Sequence, residues 1–388
     1  MKKKYIIFSL VTLVLLVALI TSFNYFKTTN TYIDDSFNNQ TKITKGISMN
    51  LEQTAGAGDY KTVTRSSWPT EGYNFNAELS RCENGSTLSW DDTKKAVIVS
   101  GNLSDKCYVY FDLARFDETC DGSTLACRIA KQYTGTQGEN SVYYHDGTLE
   151  NGIDDNSYRY AGASDSVNNY ICLGSNSATC PDANLFRIIG VFGDQTKVIR
   201  AKSTGNQNWH TSSSNTWSTS SLNTYLNGEY LTSLGTLADK IATTTWKVGG
   251  GSSANIQTSI PATAYQYEVG SSASSTTYDA KIGLMYVSDY YYGASPNAWT
   301  LVGYNSSDAT KDYRAATSTN WLFLGSAEWT ISRRSDYTYF AFYVNSLGFV
   351  NYNLVNYDGY AVRPSFNLES SVKYVSGSGS MSDPVRVN

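Results

Sequence analysis

Charge is what this chain has least of. Asp, Glu, Lys and Arg make up 16% of its 388 residues, and the net charge is −4. The 30 basic residues form no stripe, which excludes a nucleic-acid partner, because such binding needs grouped Lys and Arg against phosphates. Histidine is rarer still: His145 and His210 are the two copies, both far from any cysteine cluster. No Cys-x-x-Cys pair occurs either, so a zinc centre is the weaker reading of the cysteines. A Gly-x-Ser-x-Gly elbow, a His-Glu-x-x-His helix, a Walker loop and a Gly-x-Gly-x-x-Gly turn are all missing. With them go the common signatures of serine hydrolases, metalloproteases and nucleotide enzymes. The expectation is a protein with no catalytic residues, no metal and no cofactor.

Tyrosine is abundant, with 31 copies, set among Ser, Thr, Asn and Gly. A polar but nearly uncharged surface of that kind suits exported proteins that recognise other surfaces. The N-terminus agrees. Lys2, Lys3 and Lys4 precede Tyr5–Phe26, 22 residues without a charge, where about 20 are needed to cross a bilayer. That run exceeds the h-region of a cleaved signal peptide, about 7–15 residues, and no small-x-small site comes after it. Residues 1–26 therefore read as a signal-anchor transmembrane helix with the rest of the chain outside; a cleaved signal peptide is the alternative.

Six cysteines, Cys82, Cys107, Cys120, Cys127, Cys172 and Cys180, all lie beyond that segment. An even number in an exported chain argues for disulfides. Six cysteines allow about 15 pairings; the simplest is sequential, 82–107, 120–127 and 172–180. Length argues for about two domains. Residues 27–60 are weakly patterned and read as a stalk. Residues 61–116 read as a small all-β module, with Ala96–Val99 and Cys107–Phe111 as a hairpin and Trp90 as a core plug. Residues 117–140 are a cysteine-loop connector.

The remainder, 141–388, mixes strands and short helices. Leu185–Phe192 and Lys197–Arg200 make a hairpin with a buried first strand. Ser221–Leu234 places Leu222, Tyr225, Leu226 and Tyr230 on one helical face, capped by Ser220 or Ser221. Ser252–Thr277 reads as a loop insertion. Lys281–Ser288 reads as a strand, with a sticky surface run, Tyr290–Tyr292, after it. Asp154 and Asp155 fit a turn or a pairing with Arg159 better than a calcium loop, and His145 fits a surface or structural place better than a catalytic one.

Segment 332–363 organises the whole. It reads as a three-stranded meander whose core face carries Phe340, Phe342, Val344, Val350, Tyr352, Leu354, Val362, Phe366 and Leu368. Asn345–Gly348 and Asn356–Gly359 carry the residues of type I turns. Pro364 puts the last strand at an edge or gives it a bulge. The opposite face, with the turns, presents Tyr337, Tyr339, Tyr343, Asn351, Asn353, Asn356, Tyr357, Asp358 and Tyr360. Tyr supplies contact area at low entropy cost and Asn adaptable hydrogen bonding, so these nine are the candidate ligand contacts.

Three blocks carry a resemblance: Tyr170–Gly190, Ser221–Asn227, and Trp329 through Tyr343-Val344-Asn345-Ser346-Leu347-Gly348 to Pro364. Together they resemble a domain of surface proteins of gut Firmicutes that is similar to the C-type-lectin-like fold and to the variable proteins of diversity-generating retroelements. The resemblance implies an α+β, C-type-lectin-like fold over 141–388. It also implies that the nine residues are variable contacts to a protein or glycan on another cell, a phage or a host. The Glu-Pro-Asn or Gln-Pro-Asp loop and Trp-Asn-Asp triplet of calcium-dependent lectins are missing, so calcium-dependent sugar binding is not implied. The functional expectation is a membrane-anchored ligand-binding or adhesion protein; the alternatives are an exported hydrolase of envelope polymers and a pseudopilin-like structural component.

Overall fold

The computed structural model describes the backbone of residues 31–33 and all of residues 46–388 except 65, 66, 70, 103 and 104. The hydrophobic segment Tyr5–Phe26 lies outside the described residues. Among the described residues, no helix is long and apolar enough to cross a membrane. The chain is mixed α and β, mostly sheet with a few short helices, and it divides into Met1–Arg115 and Phe116–Asn388.

The first unit is two sheets around one core. One sheet runs in the order Tyr60–Val63, Ile47–Glu52, Cys107–Leu113, Tyr73–Cys82; the other runs Thr31–Ile33, Ala96–Ser100, Thr87–Asp91. Two expectations change here. The supposed stalk contributes Ile47–Glu52, which pairs in parallel with Cys107–Leu113 and buries Met49 and Leu51; the alternation Ile47-Ser48-Met49-Asn50-Leu51-Glu52 is a strand signal, set in a longer segment without other pattern. Ala96–Ser100 and Cys107–Leu113 are not a hairpin but lie in different sheets. Val97 and Val99 meet Val109 and Phe111 across the core, not edge to edge. Trp68, not Trp90, is the fully buried tryptophan, while Trp90 is half-buried against Phe75 and Phe111. Cys82 and Cys107 stand opposite one another in register and are bridged, as are Cys120 with Cys127 and Cys172 with Cys180.

The second unit is built on Leu185–Phe192, which is buried along nearly its whole length. It pairs with Gln195–Arg200, as the hairpin reading expects, and the sheet continues through Ser365–Leu368 to Ile282–Gly283. On its other side lie Tyr170–Cys172, Val385–Val387 and Tyr374–Ser376. Tyr158–Tyr160 joins at Gly190 and Val191, where the register shifts. The fork needs glycine: a Cβ on Gly190 would sit 2.2 Å from the carbonyl oxygen of Tyr158. Residues 117–140 are no mere connector, since the helix Leu125–Ala130, capped by the Thr124 hydroxyl, packs its apolar residues into this core.

The helix at Ser221 starts as expected, with Ser220 accepting from the Asn223 N–H, and Leu222, Leu226 and Tyr230 are buried. The stretch 252–277 is not a plain loop, for it holds the helices Ser253–Ile256 and Pro261–Glu268. Lys281–Ser288 is a strand only at Ile282–Gly283; then the helix Val287–Tyr292 begins. That helix overturns the sticky-surface reading, because Tyr290, Tyr291 and Tyr292 are all buried. Each hydroxyl finds a carbonyl: Tyr290 donates to Gly348 (2.6 Å), Tyr291 to Ile256 (2.8 Å) and Tyr292 to Asn151 (3.0 Å).

A second sheet runs Asn206–Gln207, Tyr360–Ala361, Glu328–Arg333, Phe340–Val344, Val350–Leu354. The last strand of the expected meander leaves it: Ser365–Leu368 sits inside the first sheet, and Pro364 precedes it at the crossing. Arg363 anchors the crossing by a two-pronged grip on buried Glu328, Nε–Oε2 2.9 Å and Nη2–Oε1 3.0 Å, and by a 2.6 Å bond to the Leu322 carbonyl. Removing one partner of a buried pair strands the other charge. Glu328→Ala is expected to lower the unfolding free energy by about 3–5 kcal/mol in chemical denaturation; a change within experimental error would show that the pair is dispensable.

Candidate functional site

The nine expected contacts lie on or beside the strands Phe340–Val344 and Val350–Leu354. The turn between them is tight, with Asn345 O accepting from Gly348 N and Asn345 Oδ1 from Leu347 N, at 2.8 and 2.9 Å. Gly348 is required there: its φ is +95°, and a Cβ would lie 2.2 Å from Thr317. The second turn closes at Leu354–Tyr357, earlier than the sequence indicated, through Tyr357 N to Leu354 O. Two asparagines hold the backbone beyond that turn, Asn208 on the Asn356 carbonyl (2.5 Å) and Asn206 on the Gly359 carbonyl (3.0 Å).

The structure sorts the nine residues into three groups. Tyr337, Tyr339 and Tyr357 are 43%, 36% and 45% exposed, and Asn356 and Asp358 are exposed as well. Asn351, Asn353 and Tyr360 are half-buried. Tyr343 is only 6% exposed and is no open contact. The reason is Tyr360, which lies on the Tyr360–Ala361 strand beyond the intervening Glu328–Arg333 strand and stacks on Tyr343 at 4.1 Å, while Trp329 of that intervening strand flanks both rings. Asn353 is turned inward too, donating to the Tyr360 hydroxyl at 2.9 Å. Asn351 accepts from Gln257 at 3.0 Å and lines a separate open groove of about 490 Å³ with Gln257, Tyr304 and Tyr352.

Two of the three exposed rings come together. Tyr337 and Tyr339 have centroids 5.8 Å apart, and the Tyr339 carbonyl accepts from Val355 N beside exposed Leu354. Tyr357 comes next, on the turn, and meets Tyr360 at 4.7 Å. Tyr337, Tyr339, Leu354 and Tyr357 thus line one end of the sheet. Leu354 was expected in the core, but it is the last residue of its strand and is exposed.

The residue that shapes this end carries no sequence signal. Asn215 is buried, and its Nδ2 reaches three loop carbonyls: Arg334 (2.8 Å), Tyr337 (2.7 Å) and Phe340 (2.8 Å). Its oxygen accepts from Arg333 Nη1 at 3.0 Å. These partners lie more than a hundred residues away in the chain, and nothing local in Ser-Ser-Asn-Thr-Trp marks the position.

A second cluster is buried. Arg159 pairs with Asp155 (2.7 Å), as the sequence indicated, and stands 3.5 Å from Asp289, which also holds Lys197 at 2.5 Å. Trp246, Tyr265, Tyr286 and Phe192 wall a cavity of about 220 Å³ beside them. His145 is fully buried against Tyr292 and Trp299, so its place is structural and not on the surface. Neither of its ring nitrogens has a hydrogen-bond partner among the described residues. Burial, and then the Arg159 charge, push its pKa down from 6.5 to about 3.

The profile of a family described as a domain of unknown function (DUF6273) matches residues 193–370, a little less than half of the chain. The match opens at the turn between Leu185–Phe192 and Gln195–Arg200 and takes in Lys197, Asn215, Asp289 and all nine expected contacts. It leaves outside the strands from Val142 to Phe192 and the two C-terminal strands. No curated protein and no solved structure matches the chain.

These geometries generate two predictions. The unfolded chain protonates His145 near 6.5 while the folded chain does so only near 3. The stabilising contribution of the neutral ring is therefore complete above about 6.5 and is lost as pH falls toward 3. Relative to His145→Leu, the wild type should lose stability across that window by up to about 1.4 kcal/mol per pH unit. Parallel curves from urea titrations at several pH values would contradict this. Asn215→Ala leaves buried carbonyls short of a donor, a cost of about 1–3 kcal/mol, and should raise amide exchange in the Arg334–Phe340 loop selectively. Unchanged loop protection would remove Asn215 from its anchoring role.

Proposed function

We propose that this chain is an exported, membrane-anchored binding protein that engages a protein or glycan surface through Tyr337, Tyr339, Leu354 and Tyr357. One observation carries the reading: of the nine large hydrophobic side chains exposed among the described residues, five (Tyr337, Tyr339, Leu347, Leu354 and Tyr357) fall within residues 337–357. Isolated apolar residues are ordinary on a surface, but a concentration of them beside amides marks an interaction site. Tyrosine rings fixed by their neighbours lose little entropy on contact. The reading extends to a C-type-lectin-like head, with the rewritable contacts of a retroelement variable protein, held outside the cell by Tyr5–Phe26. An imperfect repeat of the 332–363 coding stretch beside a reverse-transcriptase gene is the observation that supports or removes the retroelement part.

The binding claim is tested with the full chain in detergent, labelled and applied to panels of intact cells, phage particles and immobilised glycans. Tyr337→Ala, Tyr339→Ala and Tyr357→Ala should each weaken whatever binding the wild type shows by roughly tenfold or more, as hot-spot rings do. Their melting temperatures should stay near that of the wild type, because the rings are exposed. Binding equal to wild type in all three variants would discard the patch as the contact surface.

A further inference from the structure

Lys197 and Asp289 are 92 residues apart in sequence, yet Nζ lies 2.5 Å from Oδ2 and both side chains are buried. Among the described residues, the ammonium makes this one hydrogen bond. Its other neighbours are the rings of Tyr286 (4.8 Å), Phe192 (5.4 Å) and Trp246 (5.7 Å). A pair so placed carries a large desolvation penalty on each charge, which mutual attraction offsets only in part. Condensation to an amide would remove both charges and keep a polar group that the same surroundings accept. From this geometry we infer that Lys197 and Asp289 become joined by an intramolecular isopeptide bond, a self-catalysed modification of the folded chain.

The surroundings supply what the step requires. Nucleophile and carboxyl are held in contact, so no encounter has to be arranged. Burial lowers the lysine pKa, favouring the free amine that attacks. The guanidinium of Arg159, 3.5 Å from Asp289 Oδ1, faces the oxygen on which negative charge develops. Glu268, the last residue of the helix Pro261–Glu268, lays its buried carboxylate against the N–H groups of Val287 and Ser288 at the start of the helix that carries Asp289, and burial raises its pKa. The balance needs no outside reactant. A proton passes from the ammonium to the carboxylate, the Nζ lone pair adds to Cγ, and the Cγ–O single bond breaks. The departing oxygen leaves as water with two protons, and Nζ keeps one hydrogen in the new amide. The adjoining cavity of about 220 Å³, lined by both residues, gives that water a way out.

The test is the intact mass of the folded full-length chain after reduction of its three disulfides and denaturation. The expected mass is lower than that of the reduced sequence by one water. Protease digestion should then yield a branched peptide joining the segments around Lys197 and Asp289. Processing elsewhere in the chain does not affect the branched peptide. Lys197→Met, which retains the aliphatic stem, should lose both the branched peptide and the mass deficit. Recovery of Lys197 and Asp289 in separate linear peptides from the folded wild type would overturn the inference. So would a water deficit that persists in Lys197→Met.

Discussion

The helix Val287–Tyr292 buries phenols without orphaning their hydroxyls, although elsewhere in the second unit the buried Tyr230 hydroxyl has no partner among the described residues. A chain with 31 tyrosines cannot keep them all outside, and a buried Tyr requires an acceptor for its O–H. At Val287–Tyr292 the condition is met three times in succession, each ring reaching a carbonyl on a different segment. Tyr313 repeats it by donating to the Tyr291 carbonyl at 2.9 Å, with its ring 4.4 Å from that of Tyr291. A leucine core would be indifferent to which backbone it touched. Here each ring is tied to a named carbonyl, so the core specifies its neighbours while it excludes water. The tie from Tyr290 to Gly348 connects the helix to the turn of the second sheet, and through that sheet to the exposed patch.

The few charges are used in the same manner. A sequence with 16% charged residues still buries Arg159, Arg187, Lys197, Glu268, Asp289, Glu328 and Arg363. Arg187 shows how one is accommodated: Asn169 Oδ1 takes its Nε at 2.6 Å, Ser164 Oγ its Nη1 at 2.7 Å, and the Tyr170 and Trp321 rings cover the guanidinium. Buried ions without such partners would neutralise or destabilise the fold. Scarcity of charge over the whole chain therefore does not empty the interior of it.

What could be read in the sequence was what local chemistry decides. The Leu185–Arg200 hairpin, the Ser220 cap, the short disulfide loops Cys120–Cys127 and Cys172–Cys180, and the Asp155–Arg159 pair lie within a few residues of their own signals. The misreadings share one cause, which is long-range pairing. Strict alternation at Phe340–Leu368 gives the face of each strand but not the sheet it joins, so Ser365–Leu368 could not be assigned to the Gln195–Arg200 edge. Tyr290–Tyr292 looked superficial because composition cannot show that carbonyls from residues 151, 256 and 348 converge on them. Tyr343 reads by alternation as an outward contact, but it is buried, because Tyr360 reaches it from beyond the intervening Glu328–Arg333 strand. Asn215 left no trace at all, for its partners are brought to it only by the finished fold.

Asn215 grips the Arg334–Phe340 loop by backbone carbonyls and not by side chains. Every residue type offers the same carbonyl, so these bonds do not depend on the side chains at 337 and 340; within the loop, Arg334 adds a two-pronged bond to Asp336 (3.0 and 2.6 Å) that does depend on residue type. The rings of Tyr337 and Tyr339 take no part in those bonds, so the two tyrosines can be exchanged for other side chains while the grip of Asn215 on the backbone persists.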